Sequence, residues 1–107
     1  KLKILEIDLV TGLSFKTYCE TKRPDTDTKR YLVIASWLKE QRQIDSVAID
    51  HIHTAYRHMG WATPDDPGQP LRDMKSKRGW FNKGGTKGSY DINHIGMNEV
   101  LKMPNGG

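Results

Sequence analysis

Apolar residues cluster along this chain, and their spacing changes character several times. Residues 2–10, LKILEIDLV, alternate imperfectly between apolar and polar, which predicts a strand or an extended arm ended by Thr11-Gly12. Over residues 13–23, Phe15, Tyr18 and Cys19 recur at i, i+3 and i+4 behind Ser14, a residue type that caps helices. Pro24 ends this short helix, because the residue before a proline is pushed out of the α region. A hairpin across residues 4–18 is the competing reading of the same stretch.

The next helix is capped by Thr26 or Asp27 and runs to about residue 41. Tyr31, Ile34, Ala35 and Leu38 fall at i, i+3, i+4 and i+7, and Leu32, Val33 and Trp37 widen the stripe. A helix apolar over most of its girth belongs at the centre of a small fold. Ile44, alone among polar neighbours, leaves room for a strand of two or three residues. Asp45 or Ser46 then caps a helix over 47–59, with Ala48, Ile52, Ala55, Tyr56 and Met59 on one face and Gly60 as its left-handed stop.

Residues 61–65 read as a turn. Asp66 and Pro67 supply a capping acceptor and a first-position proline for a helix over 66–78, with Leu71 and Met74 facing inward. Pro70 falls at about the fourth helical position, where it removes one hydrogen bond and predicts an irregular first turn. Gly79 closes this helix. Two strand-like pieces follow, Trp80-Phe81 and residues 89–92, around a hairpin tip rich in Gly84, Gly85 and Gly88. Ile95, Val100 and Leu101 predict a short closing helix over 95–103, ahead of a tail at 104–107.

Charge sharpens this picture. Residues 71–88, LRDMKSKRGWFNKGGTKG, carry Arg72, Lys75, Lys77, Arg78, Lys83 and Lys87 against the single acid Asp73, a local net charge of +5 on a chain whose total is only +4. Positive charge confined to one segment is the footprint of a surface that meets phosphates. The 107 residues suffice for one domain with one core. The single cysteine, Cys19, excludes an internal disulfide and fits a reducing compartment such as the cytoplasm. No apolar run reaches the roughly 18 residues of a membrane span, so no membrane partner is expected. The first residue is Lys1 rather than Met, which suggests a domain of something longer or a processed product.

The order helix, short strand, helix, turn, helix, strand, loop, strand resembles a winged helix-turn-helix domain. Residues 31–40 match its first helix, 47–59 its second, 66–78 its recognition helix and 80–92 its winged hairpin. The resemblance implies an α+β fold with a three-helix core, a C-terminal β-hairpin wing, and residues 1–26 as an N-terminal extension to a domain at 27–103. The link between the second and third helices is longer than in the simplest members. The resemblance also implies duplex DNA as partner, with RNA left open, the third helix in the major groove and the wing along a phosphate strand. Gln69, Arg72, Asp73 and Ser76 then become base-edge residues. Lys75, Lys77, Arg78, Lys83 and Lys87 become phosphate contacts, helped by Thr86, Ser89 and the backbone N–H groups of the tip.

Other chemistry is thin. Asp50-His51-Ile52-His53 has the composition of an HNH nuclease start but lies in a helical pattern, with no Asn between His53 and Asn82. His51 and His58 share a helix face, whereas His51 and His53 diverge, and Cys19 has no CxxC partner. The expectation is a DNA-binding regulatory or targeting module without catalysis, metal or cofactor, its oligomeric state left open. The alternative is a winged-helix adaptor that presents residues 2–18 to a protein partner.

Overall fold

The computed structural model describes residues 1–104. The expected tail beyond Pro104 therefore lies outside the described residues. In chain order the elements are α1 (Phe15–Lys22), α2 (Asp27–Arg42), β1 (Ser46–Val47), α3 (Ile49–Met59), α4 (Gly68–Ser76), β2 (Phe81–Lys83), β3 (Tyr90–Ile92) and α5 (His94–Leu101). The three strands form one antiparallel sheet in the order β1–β3–β2. The architecture is α+β.

α2 is the centre. Thr26 caps it by accepting the Lys29 N–H at 3.2 Å, as its residue type predicts. Every residue from Tyr31 to Leu38 is buried, including Ser36, whose hydroxyl donates to the Val33 carbonyl at 3.0 Å. A helix without a solvent face needs cover on all sides. The other four helices, β1 and β3 all pack on it.

Aromatic rings carry this core from one side of α2 to the other. Trp37 meets Phe15 edge-on at 5.5 Å, Phe15 meets Trp61 at 6.2 Å, Trp61 meets Tyr56 at 5.3 Å, and Tyr56 meets Tyr31 at 5.8 Å. Each pair adopts the edge-to-face geometry that ring quadrupoles favour. The polar ends of these rings are matched as well. The Trp37 indole N–H donates to the Leu13 carbonyl at 3.0 Å, and the Tyr31 hydroxyl donates to the Pro67 carbonyl at 2.6 Å. The core-or-core-edge reading of the tryptophans holds, with Trp37 fully buried and Trp61 and Trp80 half-buried at its margin.

Three expected starts move. The short strand falls on Ser46-Val47 instead of Ile44, and α3 begins at Ile49 with Ala48 before it, so neither Asp45 nor Ser46 caps it. Ser46 instead donates its hydroxyl to Asp91 as β1 pairs with β3 in the register Ser46↔Asp91 and Val47↔Tyr90. The N-terminal turn of α3 is served by His51, whose Nδ1 accepts the Ala48 N–H at 2.9 Å. α4 starts at Gly68 rather than Asp66, and neither Asp66 nor Pro67 gives it a side-chain cap. Pro70 is then the third helical residue, where an N–H has no acceptor inside the helix, so the expected loss of a hydrogen bond does not arise. The ends of α1 and α3 agree with expectation: Ser14 caps the first, and Gly60, at φ +75°, stops the second.

Residues 1–9 form the arm, which ends in a bend at residues 10–13, and not a strand or half of a hairpin. The arm's backbone bonds to side chains of α3, with the Lys3 N–H on Asp50 Oδ1 at 3.0 Å and the Leu5 N–H on Thr54 Oγ1 at 2.8 Å. Arg42 clamps its far end, donating to the carbonyls of Asp8 at 2.6 Å and Thr11 at 2.7 Å while lying 4.4 Å over the Trp37 ring. Leu9, Phe15 and Cys19 are buried in the same core as α2 to α5. Residues 1–26 thus supply one wall of that core.

Two predictions follow from this packing. Replacing Trp37 by Ala should lower stability by about 3–5 kcal/mol in denaturant titration, the range for a large buried aromatic. A near-neutral result would mean that Trp37 does not bridge α1 and α2. His51 makes stability depend on pH. Burial holds its pKa below the ordinary imidazole value despite the opposing pull of Asp50, and only the neutral ring can accept the Ala48 N–H at Nδ1. The unfolded chain then binds this proton more readily than the folded one. The His51 contribution is therefore complete above about pH 6.5 and is lost as pH falls through the lower folded value. Melting at about pH 7.5 and about pH 5 should show a larger drop for the native chain than for His51→Ala.

Candidate nucleic-acid interface

Part of the basic segment meets between α4 and the β2–β3 hairpin, whereas Gln69, Asp73, Lys77 and Arg78 line a separate cleft with Thr28 and Pro64. α4 is fixed from beneath by Leu71 and Met74, both buried, and at its start by the Tyr31–Pro67 hydrogen bond. After Ser76 the chain turns through Gly79, at φ +69°, and the Trp80 N–H donates back to the Met74 carbonyl at 2.9 Å. That turn delivers Phe81 to the core and starts β2. β2 and β3 pair in the register Phe81↔Ile92, Asn82↔Asp91 and Lys83↔Tyr90.

The hairpin tip is more ordered in its bonding than its glycines suggest. The Gly84 N–H donates to the Ser89 carbonyl at 2.8 Å, and the Ser89 N–H donates to the Thr86 carbonyl at 3.0 Å. The Ser89 hydroxyl donates to the same Thr86 carbonyl at 2.7 Å and accepts the Thr86 N–H at 3.2 Å. Gly88, at φ +82°, makes this closure possible where an L side chain would be strained. Ser89, expected as a phosphate helper, is buried, and its hydroxyl is spent on shaping the tip. Thr86 and Lys87 are exposed beside it.

Asn93 ties the two halves of the face together. Its Nδ2 donates to the Gly79 carbonyl at 2.8 Å and to Asn82 Oδ1 at 3.1 Å, while its Oδ1 caps α5 by accepting the N–H groups of Ile95 and Gly96, each at 3.0 Å. Its own N–H donates to the Trp80 carbonyl at 3.0 Å. One side chain thereby fixes the end of α4, the base of the hairpin and the start of α5. An Asn just ahead of a short helical pattern is a capping signal, but its two cross-links are visible only in three dimensions.

The four base-edge candidates share the outer face of α4 and bond to one another. Arg72 Nη2 donates to Gln69 Oε1 at 2.9 Å and to Asp66 Oδ2 at 2.8 Å. Gln69 Nε2 donates to Asp73 Oδ1 at 2.8 Å, and the Ser76 hydroxyl donates to the Arg72 carbonyl at 2.8 Å. Asp73 also lies 3.7 Å from Lys77 Nζ. Asp66, read from the sequence as a helix cap, is instead the ion-pair partner of Arg72. Its spacing of six residues lies outside the i+3 and i+4 pairs that helical periodicity exposes.

Among the described residues, Lys75, Arg78, Lys83 and Lys87 have no carboxylate within ion-pair distance, and all four are exposed. Arg78 lies 5.2 Å over the Trp80 ring. Arg72, Lys75 and Ser76 from α4 and Lys83, Gly88, Ser89 and Tyr90 from the hairpin line a single cleft of about 380 Å³. Lys87 lines a neighbouring cleft of about 350 Å³ with Asp66, Arg72 and Tyr90. Tyr90 shapes both clefts and was not singled out by the sequence.

Outside this face, His53 and Cys19 are engaged in structure. His53 Nδ1 bonds Thr63 Oγ1 at 2.9 Å. Burial pushes the Cys19 thiol up to about 12, so it carries little thiolate near neutrality. Among the described residues no group of three or more His, Cys, Asp or Glu is placed to hold a metal ion, and no helix is long and apolar enough to cross a membrane. No family model matches this chain, and comparison with curated proteins and with solved structures finds no match.

Asn93→Ala should lower stability by about 2 kcal/mol, the sum expected for a lost helix cap and lost cross-links. Amide exchange should accelerate at Phe81 and Ile92, where β2 and β3 pair. An unchanged exchange rate there would show that the hairpin holds its place without Asn93.

Proposed function

We propose that this chain is a winged helix-turn-helix module that binds duplex DNA, chiefly through phosphates, as a regulatory or targeting part of a longer protein and without catalysis of its own. The observation that carries this reading is the convergence of α4 and the hairpin on one cleft that holds Lys75 and Lys83, with Lys87 on the adjoining cleft and Arg78 on the other flank of α4, all four free of carboxylate partners among the described residues. The element order α2–β1–α3–α4–β2–β3 and the sheet order β1–β3–β2 support it. α4 presents its polar face outward, and a major groove about 12 Å wide admits such a helix. The four free cations take the phosphate role, while Gln69, Arg72, Asp73 and Ser76 face the bases.

Exposure of Ile4 (55%), Val10 (64%) and Leu13 (40%) favours the adaptor as second reading, since these side chains lie on the outside of the arm and the turn after it. Salt dependence separates the two. Four neutralised phosphates should lower the affinity for a random-sequence 20-mer duplex about 10²-fold between roughly 50 and 200 mM salt, read by fluorescence anisotropy. Lys83→Glu with Lys87→Glu removes two of the four, so that fall should shrink to about ten-fold, with weaker binding at every salt and an unchanged melting temperature. No binding at roughly 50 mM salt and ~100 µM protein would overturn the DNA reading and leave the adaptor.

A further inference from the structure

Arg72 differs from the other cations of this face because its place is set by a group outside α4. Its side chain runs back over the first turn of the helix to reach Asp66 Oδ2 and Gln69 Oε1. Gly68 lies beneath it. A β-carbon built on Gly68 would stand 2.8 Å from Arg72 Nη1, so the guanidinium occupies space that any other residue would fill. Gly68 is helical and has no positive φ, so its backbone does not call for glycine. What its bare α-carbon supplies is room for Arg72.

Held there, Arg72 forms part of the wall between the two clefts. Arg72 and Asp66 are both about half exposed or more, at 50% and 63% of the side chain, so water screens the pair and it opens readily. We infer that Asp66 and Gly68 are positioning residues that withhold Arg72 from phosphates and so set the specificity of the α4 face. This inference rests on the duplex-binding reading proposed above. Non-specific contact then falls to Lys75, Arg78, Lys83 and Lys87. A partner that replaces both acceptors at once, as the O6 and N7 atoms of one guanine do, releases Arg72 from Asp66 and Gln69 with least loss.

Three single variants decide it by anisotropy on the random-sequence 20-mer over a salt series. Asp66→Asn removes the carboxylate. Gly68→Ala displaces the guanidinium with no change of charge, against only the mobile end of that side chain. Asp65→Asn makes the same charge change one residue away, at an exposed side chain with no hydrogen bond to Arg72. Asp66→Asn and Gly68→Ala should each raise affinity by about three- to ten-fold and steepen the log–log salt slope by about 0.9, one added phosphate contact. Asp65→Asn should leave the slope unchanged. Equal effects of Asp66→Asn and Asp65→Asn would overturn the inference in favour of net charge alone, and stand as the deciding pair if Gly68→Ala does not fold. Weaker binding by a folded Gly68→Ala would also overturn it. Absence of duplex binding by the native chain and all three variants removes the underlying reading itself, a different result from binding that the variants do not alter.

Discussion

Because every residue of α2 from Tyr31 to Leu38 is buried, the rest of the chain is arranged around the need to enclose it. Amphipathic helices leave one side to water, and a small domain built from them tolerates gaps. A helix apolar all round tolerates none, and here α1, α3, α4, α5 and the sheet share the task. The basic face inherits its geometry from that enclosure. Tyr31 sits at the end of the aromatic series that begins at Trp37, and its hydroxyl holds the Pro67 carbonyl at the mouth of α4. Burial also raises the pKa of this phenol, so the O–H remains a donor across ordinary pH. Position on the surface is thus set from within the core.

Charge and core are separate layers in this molecule. Leu71 and Met74 secure α4 while Arg72, Lys75, Ser76 and Lys77 stay exposed, and Phe81 secures the hairpin while Lys83 and Lys87 stay exposed. Cations that keep their water carry no desolvation penalty in the folded state, and their reversal leaves packing intact. Attraction for an acidic partner can therefore be tuned without touching what holds the fold together. The exception is Asn93, where capping of α5 and alignment of the face meet in one side chain.

Much of this was legible in the sequence where local chemistry decides. Thr26, Ser14 and Gly60 marked helix ends by residue type, and the unbroken apolar run after Arg30 announced the buried helix. The pairing of Trp80-Phe81 with residues 89–92 followed from the glycines between them, although the first strand leaves out Trp80 and runs on to Lys83 and the second starts one residue later, at Tyr90. What escaped depends on residues far apart in the chain. β1 is two residues long and exists because Ser46 pairs with Asp91, 45 positions onward in β3, so Asp45 and Ser46 looked like caps. His51 replaced that cap from inside the helix. The face itself was found from its charge, but the Asp66–Arg72 pair, the role of Ser89 inside the tip and the Asn93 cross-links required coordinates.

Pro70 gives the outer face of α4 a further property. With proline third in the helix, and the Gln69 N–H donating to the Asp66 carbonyl, the first turn has few backbone donors left to offer a visitor. Whatever meets this end of α4 is met by side chains, and among the described residues those of Gln69, Arg72, Asp73 and Ser76 bond only to one another, to Asp66, to Lys77 and to their own helix. None of the four is part of the hydrophobic core. Over evolutionary time such a set can be exchanged residue by residue while the scaffold stays constant. A chain that keeps the same buried α2 can therefore vary the side chains it presents here without varying in shape.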